Sequence, residues 1–192
     1  MKPHAARALR SSSTLLGTAL LTIAGFAGLR SAHAADASAS ATAEVLVPIA
    51  ITKNTDLVFG KVVAGNGDVT LSTSGARTRT GAAVLPTGTT PSAARFDITG
   101  SGSNTFSIDT SASDATLSDG VSSTMAVDWI TEVVTTTTPT GKTDETTDVT
   151  TGTLSAAASG VAYIYVGGKL SVGTSQAPGT YTGSIRVTVA YN

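Results

Sequence analysis

The chain ends on Tyr181-Thr-Gly-Ser-Ile-Arg-Val-Thr-Val-Ala-Tyr191-Asn192, in which apolar and polar side chains alternate. Successive side chains of a β-strand point to opposite faces, so this period of two is typical of a strand with one buried face. We therefore predict a central strand of the hydrophobic core, because a slip of one residue would expose its whole apolar set. The predicted buried face consists of Tyr181, Gly183, Ile185, Val187, Val189 and Tyr191.

Further short segments with strand character precede this one, and turn-forming residues separate most of them. After position 34, no helical periodicity extends over ten residues. Many short strands joined by turns predict an all-β fold, and their uneven lengths favour an antiparallel β-sandwich over a closed barrel. The predicted strands are residues 57–63, 69–72, 95–99, 105–109, 125–134, 161–166 and 170–172, with turns at 65–68, 100–104, 119–120, 167–168 and 178–179.

The first predicted strand runs from Ala43 to Ile51. Its apolar face consists of alternate residues, and polar side chains such as Glu44 lie on the other face. Pro48 has no N–H to donate to a neighbouring strand, so it predicts either a position at the sheet edge or a break between two short strands. The apolar face is formed by Ala43, Val45, Val47, Ile49 and Ile51.

Residues 1–34 have the three parts of a secretory signal peptide. Basic residues precede an apolar run at 15–29, and Ala32-His-Ala34 supplies small residues around a cleavage site. We therefore predict export by the general secretion route to the periplasm, cell surface or medium. The alternative, an uncleaved membrane anchor, is disfavoured because the run is shorter than the ~20 residues that span a bilayer. The remaining chain is predicted to be a short leader at 35–40 and one domain at 41–192.

The composition that remains after cleavage argues against several functions. The chain has no cysteine, and both histidines, His4 and His33, lie before the cleavage point. The usual nucleophiles, the commonest acid–base group near neutral pH and the soft metal ligands are therefore missing, and we predict neither an enzyme nor a cofactor. Cleavage removes four of the 12 basic residues and leaves eight against 13 acidic ones, a net charge of −5. This charge does not favour nucleic acid or membrane insertion.

A polar, threonine-rich stretch at 135–151 interrupts the pattern of strands. The favoured interpretation is a long connection, because such a composition buries too little apolar surface to offset its ordering entropy. A surface loop that contacts a partner is the alternative. Asp144, Glu145 and Asp148 could supply oxygen ligands for calcium, but their spacing does not match an EF-hand loop, so we predict a solvated acidic loop and no metal.

Several segments in a fixed order identify a family resemblance. The chain resembles the secreted domain of unknown function 4402, which is in turn similar to spore-coat-U-type proteins and to subunits of archaic chaperone–usher pili. The segments are Val45-Leu-Val-Pro-Ile-Ala-Ile-Thr-Lys53, Asp56-Leu-Val-Phe-Gly60, Gly75-Ala-Arg-Thr-Arg-Thr-Gly81, Phe96-Asp-Ile-Thr-Gly100 and Pro178-Gly-Thr-Tyr-Thr-Gly183.

The resemblance implies an immunoglobulin-like sandwich that lacks one strand and is completed by the N-terminal extension of a neighbouring subunit. Residues 39–47 match the position of such a donor strand, and Ala43, Val45 and Val47 would be its apolar side chains. Homo- or hetero-polymers and a periplasmic chaperone are the implied partners. The chain departs from the pilin pattern in having no cysteine, since the pilins usually carry a disulfide near the first strand.

Two functions therefore remain open. The first is a non-enzymatic structural subunit, fimbria-like or coat-like, and the second is a self-contained secreted module that binds carbohydrate or another envelope component. A free segment at 43–47 favours the subunit, whereas a segment that folds into its own sheet favours the module. Four aromatic residues could line a sugar site, although core packing is their favoured interpretation. They are Trp129, Tyr163, Tyr165 and Tyr181.

Overall fold

The computed structural model describes residues 35–144 and 149–192. Within these ranges it contains ten β-strands and no helix, which confirms the predicted all-β class. The chain divides into two units at residues 1–42 and 43–192. Residues 35–42, the described part of the first unit, are exposed and have no regular secondary structure. The predicted signal peptide at 1–34 lies outside the described residues.

The strands pair in two antiparallel sheets, one of seven strands and one of three. In the larger sheet, β9 pairs with β7 along one edge and with β4 and then β2 along the other. In the smaller sheet, β5 lies between β10 and β8. The strands are β1 (Ala50–Thr55), β2 (Gly67–Leu71), β3 (Arg77–Arg79), β4 (Ala94–Ser101), β5 (Thr105–Asp109), β6 (Thr116–Ser118), β7 (Thr124–Val134), β8 (Thr151–Thr153), β9 (Ser159–Val172) and β10 (Thr188–Tyr191).

The two sheets share one apolar core cluster. Phe106 and Ile108 of β5 pack with Ile98 of β4 and Ile164 of β9, and all four side chains are buried. The Phe106 ring lies over Gly152 of β8, where an added Cβ would be only 2.4 Å from Cζ of the ring. Close packing of this kind is the main stabilising contribution in a chain without disulfides.

The predicted turn at 167–168 is wrong, because both glycines lie inside the long strand β9. An added Cβ on Gly167 would lie 2.2 Å from the carbonyl oxygen of Leu71, and one on Gly168 would lie 3.0 Å from the Phe59 ring. Both residues therefore allow a close approach of neighbouring groups within a sheet rather than a change of chain direction.

The predicted strand at 57–63 is also wrong, since it is replaced by two isolated bridges, Val58 to Ser92 and Val63 to Val84. Gly60 has a φ of +79°, which interrupts an extended strand. The Arg77 guanidinium donates hydrogen bonds to the carbonyl oxygens on both sides of this glycine, those of Phe59 at 2.7 Å and Lys61 at 2.8 Å.

The C-terminal segment is not the predicted central strand. Only Thr188–Tyr191 forms a regular strand, β10. This strand lies at the edge of the smaller sheet and pairs with β5 alone. The alternation is nevertheless real, because Ile185, Val187 and Val189 are half-buried and pack against the shared core cluster, whereas Arg186 and Thr188 are exposed.

The N-terminal strand is shorter than predicted, because β1 begins at Ala50 and not at Ala43. It lies at the edge of the larger sheet, paired only with β4. The start of β1 two residues after Pro48 and its place at the edge confirm the predicted effect of that proline.

The polar stretch that follows β7 is anchored at its base by the buried carboxylate of Glu132. Its Oε1 accepts a hydrogen bond from the Thr140 N–H at 2.7 Å, and its Oε2 accepts one from the Thr73 hydroxyl. The Tyr165 hydroxyl donates to the Thr137 carbonyl oxygen at 2.7 Å. Asp144 is exposed, and residues 145–148 are outside the described part of the chain.

Candidate functional site

A groove of about 1120 Å³ opens the apolar core between segments from the two ends of the domain. Its N-terminal wall is residues 57–63, and its C-terminal wall is residues 177–185. Its floor consists of side chains from β4, β6, β7 and β9. These are Ala94, Phe96, Leu117, Met125, Trp129, Leu170 and Val172.

The floor is continuous with the core. Leu57 and Trp129 each pack against both core clusters, so the groove lies where the two clusters meet. The Trp129 indole N–H donates to the Asp114 carbonyl oxygen at 2.8 Å, which satisfies the polar atom of this side chain and fixes the ring. The groove therefore offers an apolar surface to an occupant.

The backbone of the N-terminal wall makes its hydrogen bonds to residues 77–92. Val58 exchanges two bonds with Ser92, at 2.8 and 3.0 Å, and Val63 exchanges two with Val84, at 2.9 and 3.4 Å. The Lys61 N–H donates to Thr89 Oγ1 at 3.3 Å. These bonds attach the N-terminal wall to the neighbouring segment that contains Val84, Thr89 and Ser92.

The C-terminal wall has one bonded edge. The N–H and C=O groups of Thr182 and Ser184 bond to this neighbouring segment, residues 113–118: Thr182 exchanges two 2.8 Å bonds with Ser118, and Ser184 bonds to Asp114. In an extended chain, alternate residues direct these groups to opposite sides. The odd-numbered residues therefore direct theirs away from 113–118. Within the described ranges, no backbone group pairs with Gly183, Ile185 or Val187.

Beyond the groove, Ser101 and Tyr191 hold the backbone of Val47 at two points. The Val47 N–H donates to Ser101 Oγ at 2.7 Å, and the Tyr191 hydroxyl donates to the Val47 carbonyl oxygen at 2.8 Å. The same hydroxyl accepts from the Ser101 N–H at 2.7 Å. An added Cβ on Gly100 would lie 2.3 Å from the hydroxyl, so glycine is required there. We call Ser101 and Tyr191 the clamp.

The three predicted donor residues lie outside the groove. Ala43 is exposed, Val45 is 94% exposed and Val47 is 57% exposed, and none of them lines the groove. The segment is not part of any strand of the domain, although the clamp holds its last residue. Leu46 is the half-buried residue of the segment, which the alternating pattern did not indicate.

The four aromatic candidates for a sugar site do not come together. Trp129 and Tyr181 line the groove, whereas Tyr163 and Tyr165 lie outside it. The Arg95 guanidinium stacks over the Tyr163 ring at 4.7 Å from its centroid, and burial raises the pKa of Tyr165. The groove aromatics are therefore a pair and not a row of stacking platforms.

Sequence reasoning did not identify the groove or the clamp. The alternating pattern places Tyr191 on a buried strand face, and Ser101 lies in a segment where the sequence predicts a turn. No local signal marks their hydroxyls as partners of Val47, which lies 54 positions from Ser101 and 144 positions from Tyr191 along the chain. Among the described residues, there is no group of three side chains that could hold a metal ion and no helix long and apolar enough to cross a membrane.

Comparisons with known proteins agree with the resemblance found in the sequence. No curated protein and no solved structure matches the chain. Residues 49–191 match the family described as domain of unknown function (DUF4402). The matched region includes all ten strands, both walls of the groove and the clamp. Val45 and Val47 precede the matched region. Because the match covers most of the sequence, the chain belongs to the DUF4402 family.

Proposed function

We propose that this protein is a non-enzymatic structural subunit that assembles with further copies by β-strand addition. In this assembly, an N-terminal segment of one copy fills the groove of the next. The observation that carries the proposal is the groove itself, in which an apolar floor and the unpaired edge at Gly183, Ile185 and Val187 are open together. An added strand uses both features, because its backbone bonds to the edge and its side chains cover the floor.

The exposed N-terminal segment supplies a suitable occupant. Val45 is an exposed aliphatic side chain in an alternating sequence, and the segment is not used to fill the groove of its own domain. Burying Val45 would contribute about 1.5–3 kcal/mol, before the cost of ordering the segment. That contribution supports a stable junction once main-chain hydrogen bonds are added.

The proposal includes a finer description of the fold and of the route to the surface. The fold is an immunoglobulin-like sandwich that lacks one strand between its first and last segments. Export removes residues 1–34, and a periplasmic chaperone covers the groove until assembly. Two antiparallel sheets with a shared core, and a groove flanked by segments from the two ends of the domain, support this description.

The experiment replaces Val45 and Val47 with lysine in the exported, full mature chain. Wild type should form high-mass oligomers in size-exclusion chromatography and regular assemblies in electron microscopy, and the double variant should form neither. Val121→Lys is the matched control, because Val121 is 89% exposed in the turn after β6, outside the groove. Oligomers that persist in the double variant, or that disappear equally in the control, would contradict the proposal.

A self-contained binding module is the second candidate function. It is favoured by the clamp, which attaches Val47 to its own domain. It is also favoured by the volume of the groove, which is large enough for a small ligand because common ligand sites have volumes of ~300–1,000 Å³. Trp129 and Tyr181 would contact a ligand there. A wild-type protein that is a stable monomer, and whose double variant loses only thermal stability, would favour this candidate.

A further inference from the structure

We propose that the clamp fixes a boundary at Val47 between the part of the N-terminal segment that stays with its own domain and the part that enters a second copy. This inference rests on the proposed function. The occupant of the groove is then residues 35–45 of another copy, and Ser101 and Tyr191 are positioning residues for it. The donor segment therefore ends at residue 45 and does not include Val47.

The first step of the argument concerns the Val47 backbone. A strand that adds to an edge must offer its N–H and C=O groups to that edge. Both groups of Val47 are already bonded within its own domain, to Ser101 Oγ and to the Tyr191 hydroxyl. Val47 cannot make these bonds and also pair with a neighbouring copy, so the donated residues must precede it.

The second step concerns the sequence before Val47. From position 35 to position 45 every odd-numbered residue is apolar, and every even-numbered residue is polar. Eleven residues in extended conformation span about 36 Å at ~3.3 Å each, which exceeds the ~23 Å of the seven residues from Tyr181 to Val187. The apolar face is Ala35, Ala37, Ala39, Ala41, Ala43 and Val45.

The third step concerns size. An added Cβ on Gly183 would lie 2.7 Å from the Leu117 side chain, so the C-terminal wall and the floor approach closely at this point. A strand laid along this wall meets an apolar floor already occupied by large side chains such as Met125 and Trp129. Alanine provides an apolar face with minimal volume, and five of the six residues on the proposed face are alanine.

The clamp then determines the register. It holds Val47 at a fixed position relative to β4 and β10, so each subunit presents the same length of free segment to the next. Without the clamp, an alternating alanine face could slip by two residues and still keep its apolar side inward. We therefore expect the clamp to select one register out of several that resemble one another.

The test uses the absence of cysteine from the chain. Ile185→Cys in the C-terminal wall is combined with a second cysteine at position 39, 41, 43, 45 or 47, in the otherwise unchanged mature protein under mild oxidation. Directly opposite residues on adjacent strands have Cβ atoms ~4.5–5.5 Å apart, and a disulfide needs ~3.5–4.5 Å, so a small adjustment of the strands lets only directly opposite cysteines react. We expect disulfide-linked ladders on non-reducing gels, with one dominant position before 47.

The clamp is removed by combining Ser101→Ala with Tyr191→Phe in the same cysteine variants. Cross-linking at the neighbouring odd positions should then rise about thirtyfold, the change expected when both hydrogen bonds to Val47 are lost. The matched control combines Ser107→Ala with Tyr165→Phe, which removes a serine and a tyrosine hydroxyl that bond to other carbonyl oxygens. If the double clamp variant does not fold, Tyr191→Phe alone is used.

The outcomes separate the two proposals. If no cysteine pair gives intermolecular ladders, the proposed function fails, and cross-links confined to the monomer would show that the segment fills its own groove. Ladders whose distribution over the cysteine positions is the same in the clamp variant as in wild type would overturn the clamp inference and leave the proposed function standing. A dominant cross-link at position 47 would overturn it as well.

Discussion

Replacing Glu132 with glutamine should destabilise the whole domain, although the two side chains have nearly the same shape. Glu132 is 7% exposed, and its two carboxylate oxygens accept hydrogen bonds from the Thr140 N–H and the Thr73 hydroxyl. Glutamine keeps one acceptor oxygen, and its NH₂ group can only donate. The Thr73 hydroxyl would have to turn and accept from this NH₂ group, and the Thr140 N–H would keep only an uncharged acceptor, at a cost of about 1.5–3 kcal/mol. At ~2–4 °C per kcal/mol, Tm should fall by about 3–12 °C.

The same carboxylate should make stability depend on pH. Burial opposes its ionisation, but hydrogen bonds from Thr140, Thr73 and the Lys142 backbone together outweigh burial and lower the pKa of Glu132. A lowered pKa in the folded state adds stability above the unfolded value of about 4.3, and this stability is lost as pH falls through the folded pKa. The difference between wild type and Glu132→Gln should therefore shrink on acidification.

Chemical denaturation at pH 7 and at pH 3 measures both effects. Glu44→Gln is the control, because Glu44 is exposed and should give wild-type stability at both values of pH. The reasoning is refuted if Glu132→Gln is as stable as wild type at pH 7. It is also refuted if the variant is destabilised equally at both values, because the effect would then not come from the charge.

Two further predictions concern the core and the export signal. Gly167→Ala should destabilise the domain by about 1–3 kcal/mol in denaturant titrations, because its Cβ would lie 2.2 Å from the Leu71 carbonyl oxygen, whereas Gly173→Ala should change little because its nearest neighbour is 3.9 Å away. Amino-terminal sequencing of the exported protein should begin at Ala35, and a protein that retains residues 15–29 would contradict this prediction.

The sequence was sufficient where alternation is bounded by strong turn signals. The strand at Thr105–Asp109 was predicted with its observed limits, since polar and apolar residues alternate between two turn-forming segments. The strand at Thr124–Val134 differs from its prediction by one residue. The burial pattern of Thr105–Asp109 follows the chain's own period of two, and so does the first half of Thr124–Val134, whereas Ile130, Thr131 and Glu132 are buried in succession.

The sequence was insufficient where a distant segment determines the local structure. A glycine such as Gly167 predicts a turn from the sequence alone. The structure shows instead that glycine is needed there because the Leu71 backbone approaches closely, and that approach is a tertiary contact. The C-terminal alternation indicated a buried face but could not show that this strand has a partner on one side only. The short strands at Arg77–Arg79 and Thr116–Ser118 carry too few residues for a periodic signal.

The unpaired edge is the feature that most requires a functional explanation. Exposed strand edges promote unwanted pairing, and proteins usually protect them with charged residues, proline, bulges or covering segments. At Gly183 and Ile185 of the C-terminal wall, and at Val187 just after it, the backbone groups are instead unpaired, beside an open apolar floor. The protection usual for a soluble monomer is therefore missing where a strand would fit. A second copy supplies such a strand if its residues 35–45 are donated, and the clamp, which bonds both backbone groups of Val47 within its own domain, sets the end of the donated segment before that residue.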